Sequence, residues 1–120
     1  MKKNAGIRIF DGTETLSMDE LKKIAEARFG DMVKGVVDIE REVLALGGEL
    51  HADEEALLLA EGSKQENVWG INLYPDRKGD EFIEFDSMIN VRPAQGNRSR
   101  VVESMDIQKK IRAVVAKILS

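Results

Sequence analysis

Arg92, Asn97, Arg98 and Arg100 close the run FIEFDSMINVRPAQGNRSR, and they are the side chains of this chain best suited to holding an anion. A guanidinium presents a fixed fork of donors that matches a phosphate or carboxylate. Gly96 lets the backbone come close, Ser99 or Asn97 adds further donors, and the start of a helix near Ser104 would contribute partial positive charge. The expectation is a site for a phosphate-bearing small ligand or an acidic protein surface. No standard phosphate-loop spacing is present. The competing arrangement is structural, with Arg92 paired to Glu84 or Asp86 across a polar sheet face and the other arginines solvated or paired with the acidic body.

Two other sets of residues have chemistry to offer. Glu84 and Asp86 lie two apart on one strand face, where paired carboxylates can divide acid and base roles if buried together, with Asn72 opposite. Glu49, His51 and Asp53 alternate towards the end of a strand, so that a carboxylate, an imidazole and a second carboxylate would face a divalent metal, with Glu84 or Asp86 completing a hydrolytic site. Against this, Asp53 is placed to cap a helix and His51 is the only histidine. The expectation is therefore no metal and no cofactor. A small metal-dependent or acid/base hydrolase, or a nucleotide-processing enzyme, remains the alternative to a noncatalytic binding module.

These residues need a scaffold, and the hydropathy pattern supplies one. A short strand over residues 6–10 ends at Asp11-Gly12. Ser17 and Glu20 then have the spacing of a capping box, flanked by Leu16 and Leu21 as a hydrophobic staple, which predicts a helix from Met18 that stops at Gly30. VKGVVDI and EVLALGGEL read as a hairpin around Glu40-Arg41-Glu42. Asp53 is expected to cap a helix over residues 54–61. VWGINLY and FIEFDSMINVR follow as two strands, with Trp69, Ile71, Leu73, Ile83, Phe85, Ile89 and Val91 on the core face and Asn72, Glu84, Asp86, Asn90 and Arg92 on the other. Ser104 is expected to cap a last helix carrying Ile107, Ile111, Val114, Val115 and Ile118 on its apolar face. The order βαββαββα predicts one α+β domain over residues 1–120, with a mainly antiparallel sheet of about five strands and the helices on one face.

Composition narrows the function classes. With 120 residues and 42% hydrophobic content the chain can bury a core of its own. It has no cysteine, which excludes disulfides, thiolate nucleophiles and iron–sulfur clusters and fits a reducing cytoplasm. No apolar run approaches the length of a membrane span, and MKKNAGIRIFDG lacks the apolar stretch of a signal peptide. The net charge of −4 argues against general nucleic-acid affinity, and the aromatic residues are not interleaved with cations as a stacking platform requires. Charge is unevenly spread: residues 90–120 hold seven basic and two acidic side chains, a net +5, so the overall −4 leaves −9 elsewhere. That division makes self-association into a homo-oligomer a further expectation.

The segments GGELHADEEALLLAEGSKQENVWGINLYPD and FIEFDSMINVRPAQGNRSR resemble a family of small bacterial and archaeal proteins described only as a domain of unknown function. The resemblance extends over roughly residues 17 to 120. It implies an intracellular prokaryotic protein and brings no assigned activity, cofactor or catalytic residue. The leading expectation is thus a noncatalytic binding or interaction module that uses the arginine-rich loop.

Overall fold

The computed structural model describes residues 6–119. Five strands form one antiparallel sheet in the order β1-β3-β2-β4-β5, where β1 is Arg8–Phe10, β2 Val33–Asp38, β3 Val43–Leu46, β4 Val68–Leu73 and β5 Ile83–Glu84. Three helices accompany it: α1 (Met18–Arg28), α2 (His51–Ala60) and α3 (Met105–Ile118). This is the α+β fold and the element order expected from the sequence.

Local signals place the ends of two helices. The capping box of α1 is present, with Ser17 Oγ accepting from the Glu20 N–H at 3.1 Å and the Glu20 carboxylate accepting from the Ser17 N–H at 3.4 Å. Gly30 takes a left-handed φ of +94° just beyond the helix. Ser104 caps α3 by accepting from the Ile107 N–H. The β2–β3 turn manages without Asn-Gly because Asp38 Oδ1 accepts from the Glu40 and Arg41 N–H groups, both at 2.9 Å, and Glu42 itself adopts the left-handed φ of 57°.

The helices divide between the two faces rather than sharing one. Leu21, Ala25, Ile111, Val114, Val115 and Ile118 of α1 and α3 pack with Val37, Leu44, Trp69, Ile71, Leu73, Ile83 and Phe85 in the larger core. Leu58 of α2 packs with Val36, Ala45 and Val68, whose side chains alternate with those of the larger core and so lie on the opposite face. β3 and β4 are buried along their whole length, and β2 at every residue but Lys34, because both faces are largely covered.

Two expected elements differ. α2 starts at His51, with Leu50 as an N-cap that makes no side-chain bond, so Asp53 lies inside the first turn instead of capping it. The long strand FIEFDSMINVR is a strand only over Ile83–Glu84. Asp86 keeps a single bridge to Val101, and Met88–Asn90 form a 3-10 turn begun by Ser87, whose Oγ accepts from the Ile89 N–H. Alternation therefore fails after Phe85: Ile89 packs against the smaller core and Val91 is exposed.

Candidate functional site

One concavity of the molecule adjoins the point where β5 breaks off. α2 covers the Val36–Val68 end of its sheet face and stops short of the other end, where Lys34, Asn72 and Glu84 share that face. A cavity of about 360 Å³ opens there, lined by Lys34, His51, Asn72, Tyr74, Glu84, Asp86 and Arg100, with Leu50 and Met88 as exposed apolar side chains at its edge. A larger concavity, about 530 Å³ beside α3, gathers none of the candidate residues.

Within the cavity the contacts are specific. Asn72 donates through Nδ2 to Glu84 Oε1 at 2.9 Å and to the Asp86 carbonyl at 3.1 Å, and the Tyr74 hydroxyl donates to the same Glu84 oxygen at 3.0 Å. Burial, together with the Glu84 carboxylate, pushes the Tyr74 hydroxyl above its usual pKa and keeps it a donor. Asp86 Oδ1 lies 2.9 Å from Arg100 Nε in a half-exposed ion pair. His51 Nε2 is 2.8 Å from the Ile71 carbonyl, and since a carbonyl only accepts, that nitrogen carries the proton. Burial lowers the His51 pKa, opposed by the Ile71 carbonyl and the Asn72 side chain, so the ring is neutral at pH 7 and Nδ1 is its basic atom.

The arginine-rich loop is used differently along its length. Arg92 is an internal brace: its guanidinium donates to the carbonyls of Ile89 at 3.0 Å, Gln65 at 2.7 Å and Val68, stacks 4.5 Å over Trp69, and lies 3.7 Å from Glu55. Its partner is thus Glu55 and not Glu84 or Asp86. Asn97 is buried and fully occupied, donating to the carbonyls of Asn90, Ser99 and Val101 and accepting from the Glu103 N–H. The Arg98 side chain is exposed, while its backbone N–H, the Ser99 N–H and the Ser99 hydroxyl all donate to Glu103 Oε2 at 2.8–2.9 Å. These hydrogen bonds hold the Glu103 pKa below the carboxylate range. The loop does cradle a carboxylate, and that carboxylate is its own Glu103. Of the four residues singled out for anion binding, Arg100 alone lines the cavity.

The set Glu49, His51 and Asp53 does not converge. Glu49 pairs with Arg28 at 3.5 Å ahead of α2, and His51 and Asp53 stand two apart on a helix, roughly 200° around its axis. Among the described residues no group of three His, Asp or Glu side chains is placed to hold a metal ion. Sequence reasoning passed over Tyr74 and Lys34 as site residues, and Glu103 as the loop's partner. Lys34 pairs with Asn72 across β2 and β4, and Tyr74 meets Glu84 across the next pair, neighbourhoods visible only once the register is known.

Among the described residues no helix is long and apolar enough to cross a membrane. Comparison with curated proteins and with solved structures gave no match. The model of one family, described as protein of unknown function (DUF5674), matches residues 12–118, and the chain belongs to that family.

Proposed function

We propose that this protein is a noncatalytic binding module whose ligand site is the cavity between the start of α2 and β5, and that Arg100 receives the acidic group of a phosphate- or carboxylate-bearing small molecule. The observation that supports this most directly is convergence: Arg100, His51, Asn72, Tyr74, Glu84 and Asp86 come from separate segments to line one cavity. Arg100 is half exposed and held by a single carboxylate, so an incoming anion exchanges for Asp86. The first turn of α2, represented in the lining by His51 and Ala52, adds the positive end of a helix dipole. An acidic protein surface, including the acidic part of a second copy, is met by the same +5 segment, with Arg98 exposed beside the cavity's loop. A cysteine-free chain suits an intracellular, cytoplasmic setting.

A second reading, acid/base hydrolysis, is favoured by His51, whose tautomer is fixed by Ile71 and whose ring is neutral. The serine in the lining, Ser87, is buried and already accepts from the Ile89 N–H, and the Tyr74 hydroxyl donates to Glu84, so neither hydroxyl is poised as a nucleophile.

Thermal stabilisation by a panel of inorganic phosphate, nucleotides and small carboxylates tests the choice. A shift that Arg100→Ala removes and Arg98→Ala retains supports the cavity. No shift with any compound, together with an oligomer dissolved by salt, moves the function to protein–protein contact. Metal-dependent hydrolysis lost in both His51→Ala and Asp86→Asn would sink the noncatalytic reading.

A further inference from the structure

We infer that the molecule bound in this cavity carries a protonated amine as well as its acidic group, with the amine seated against Glu84. This rests on the cavity being the ligand site. The argument comes from which hydrogen-bonding capacity is left over. Both hydrogens of the Asn72 amide go to acceptors, Glu84 Oε1 and the Asp86 carbonyl, which fixes the orientation of the amide. Its oxygen is left without a hydrogen-bond partner on a residue only 7% exposed. Neutral His51, with Nε2–H spent on Ile71, offers Nδ1 as another acceptor. Glu84 is oriented through one oxygen by two neutral donors, so its charge is not offset by a contacting cation. Apart from Lys34, whose ammonium sits over the Phe29 ring, the unmet groups named here are acceptors, and a bare phosphate or carboxylate would only add more.

The Arg100 end has the reverse character. Its guanidinium, paired with Asp86, provides donors and positive charge. Glu84 and Asp86 stand two residues apart along the chain, about 6–7 Å in extended backbone, and Arg100 is tied to Asp86. A ligand with its acid at Arg100 and its amine at Glu84 therefore needs a short spacer of two or three carbons. Leu50 and Met88, 55% and 67% exposed, add to the lining apolar surface suited to methylene groups. Lys34 is the remaining cation in the lining, and its ammonium lies 5.2 Å over the Phe29 ring.

Calorimetric titration of the full chain at pH 7.5 with O-phosphoethanolamine and 3-aminopropyl phosphate, each against ethyl or propyl phosphate, separates the claims. The amino compounds are expected to bind at least about tenfold more tightly than their alkyl counterparts. Glu84→Gln should remove that advantage, and Arg100→Ala should weaken both classes. Equal affinity for amino and alkyl phosphates in the unmutated protein overturns the amine inference and leaves the anion site standing. Absence of binding by all four compounds overturns the anion site and this inference with it. The comparison of ligands on the unmutated chain decides the matter even if a variant fails to fold.

Discussion

Asn90 and Gly70 are hydrogen-bonded to each other in both directions. The Gly70 N–H donates to Asn90 Oδ1 at 2.8 Å, and Asn90 Nδ2 donates back to the Gly70 carbonyl at 3.0 Å. A side-chain amide thus supplies the rung that β5 would have made had it continued, and Nδ2 also reaches the Arg100 carbonyl at 3.0 Å. Asn90→Ala should lower unfolding free energy by about 2–4 kcal/mol, because it leaves buried backbone groups of β4 unpaired. Gly70→Ala should be comparably damaging, since a Cβ there would lie 2.5 Å from the Ser87 Cβ. Urea titration checks both.

Arg92 should not tolerate lysine. An ammonium cannot reach three carbonyls, stack on Trp69 and face Glu55 together, so Arg92→Lys should cost roughly 1–3 kcal/mol of stability. Chemical denaturation measures the loss. Ligand preference in the cavity should be unchanged in whatever fraction folds, because Arg92 does not line it.

Glu54 is fully buried in α2, accepts from the Gly48 N–H at 2.9 Å through one oxygen and leaves the other without a partner. Burial raises its pKa from 4.5 to about 9, against the opposing Gly48 hydrogen bond. The folded chain therefore holds a proton that the unfolded chain releases, and stability should decline as pH rises from about 4.5 to about 9. Glu54→Gln should flatten that slope, with a gain of roughly 1–3 kcal/mol at pH 8 that vanishes near pH 4.5. Parallel melts of the two proteins across this range read it directly.

His51 should act in the opposite sense. Its folded pKa lies below the ordinary 6.5, so the unfolded chain binds a proton more readily. The stability tied to the neutral ring is intact above about pH 6.5 and falls as pH drops below it, until the folded-state ring also protonates. The difference in melting temperature between the unmutated protein and His51→Gln should change across that window and be flat above pH 7. An unchanged difference from pH 5 to 7.5 would contradict a buried neutral imidazole.

How much of this was legible beforehand depends on the range of the interaction. Ser17 with Glu20, and Ser104 with Ile107, act within one turn, so their spacing alone located α1 and α3. Leu21, Ala25, Ile111 and Val114 likewise declare their buried faces through periodicity. The fate of FIEFDSMINVR was not readable, because alternation continues through Ile89 and Val91 although the chain leaves the sheet at Asp86. The signals were there in Gly70, a glycine inside a strand that marks close approach, and in the buried Asn90, but their pairing spans twenty residues. Helix α2 shows a similar limit: Asp53 has the chemistry of a cap, while the turn before it is held by Leu50, which has no capping group at all. The cavity could be anticipated through Glu84, Asp86 and His51, yet Tyr74 and Lys34 joined it only through strand register. Arg92 and Arg98 were indistinguishable from Arg100 by residue type, and their separate roles follow from where Trp69, Glu55 and Glu103 come to lie.

The occupation of the loop by Glu103 makes that carboxylate a tethered competitor. Joined to Ser99 through only three intervening residues, it meets the loop's donors at an effective concentration of millimolar order or above. A free acid present at micromolar levels is outcompeted without any barrier or gate, so the loop is selective by being already saturated. Removing the competitor, as in Glu103→Ala, would turn a self-satisfied turn into a vacant receptor for soluble carboxylates, and the donors that now fasten the loop would be exposed to whatever anion the solution holds.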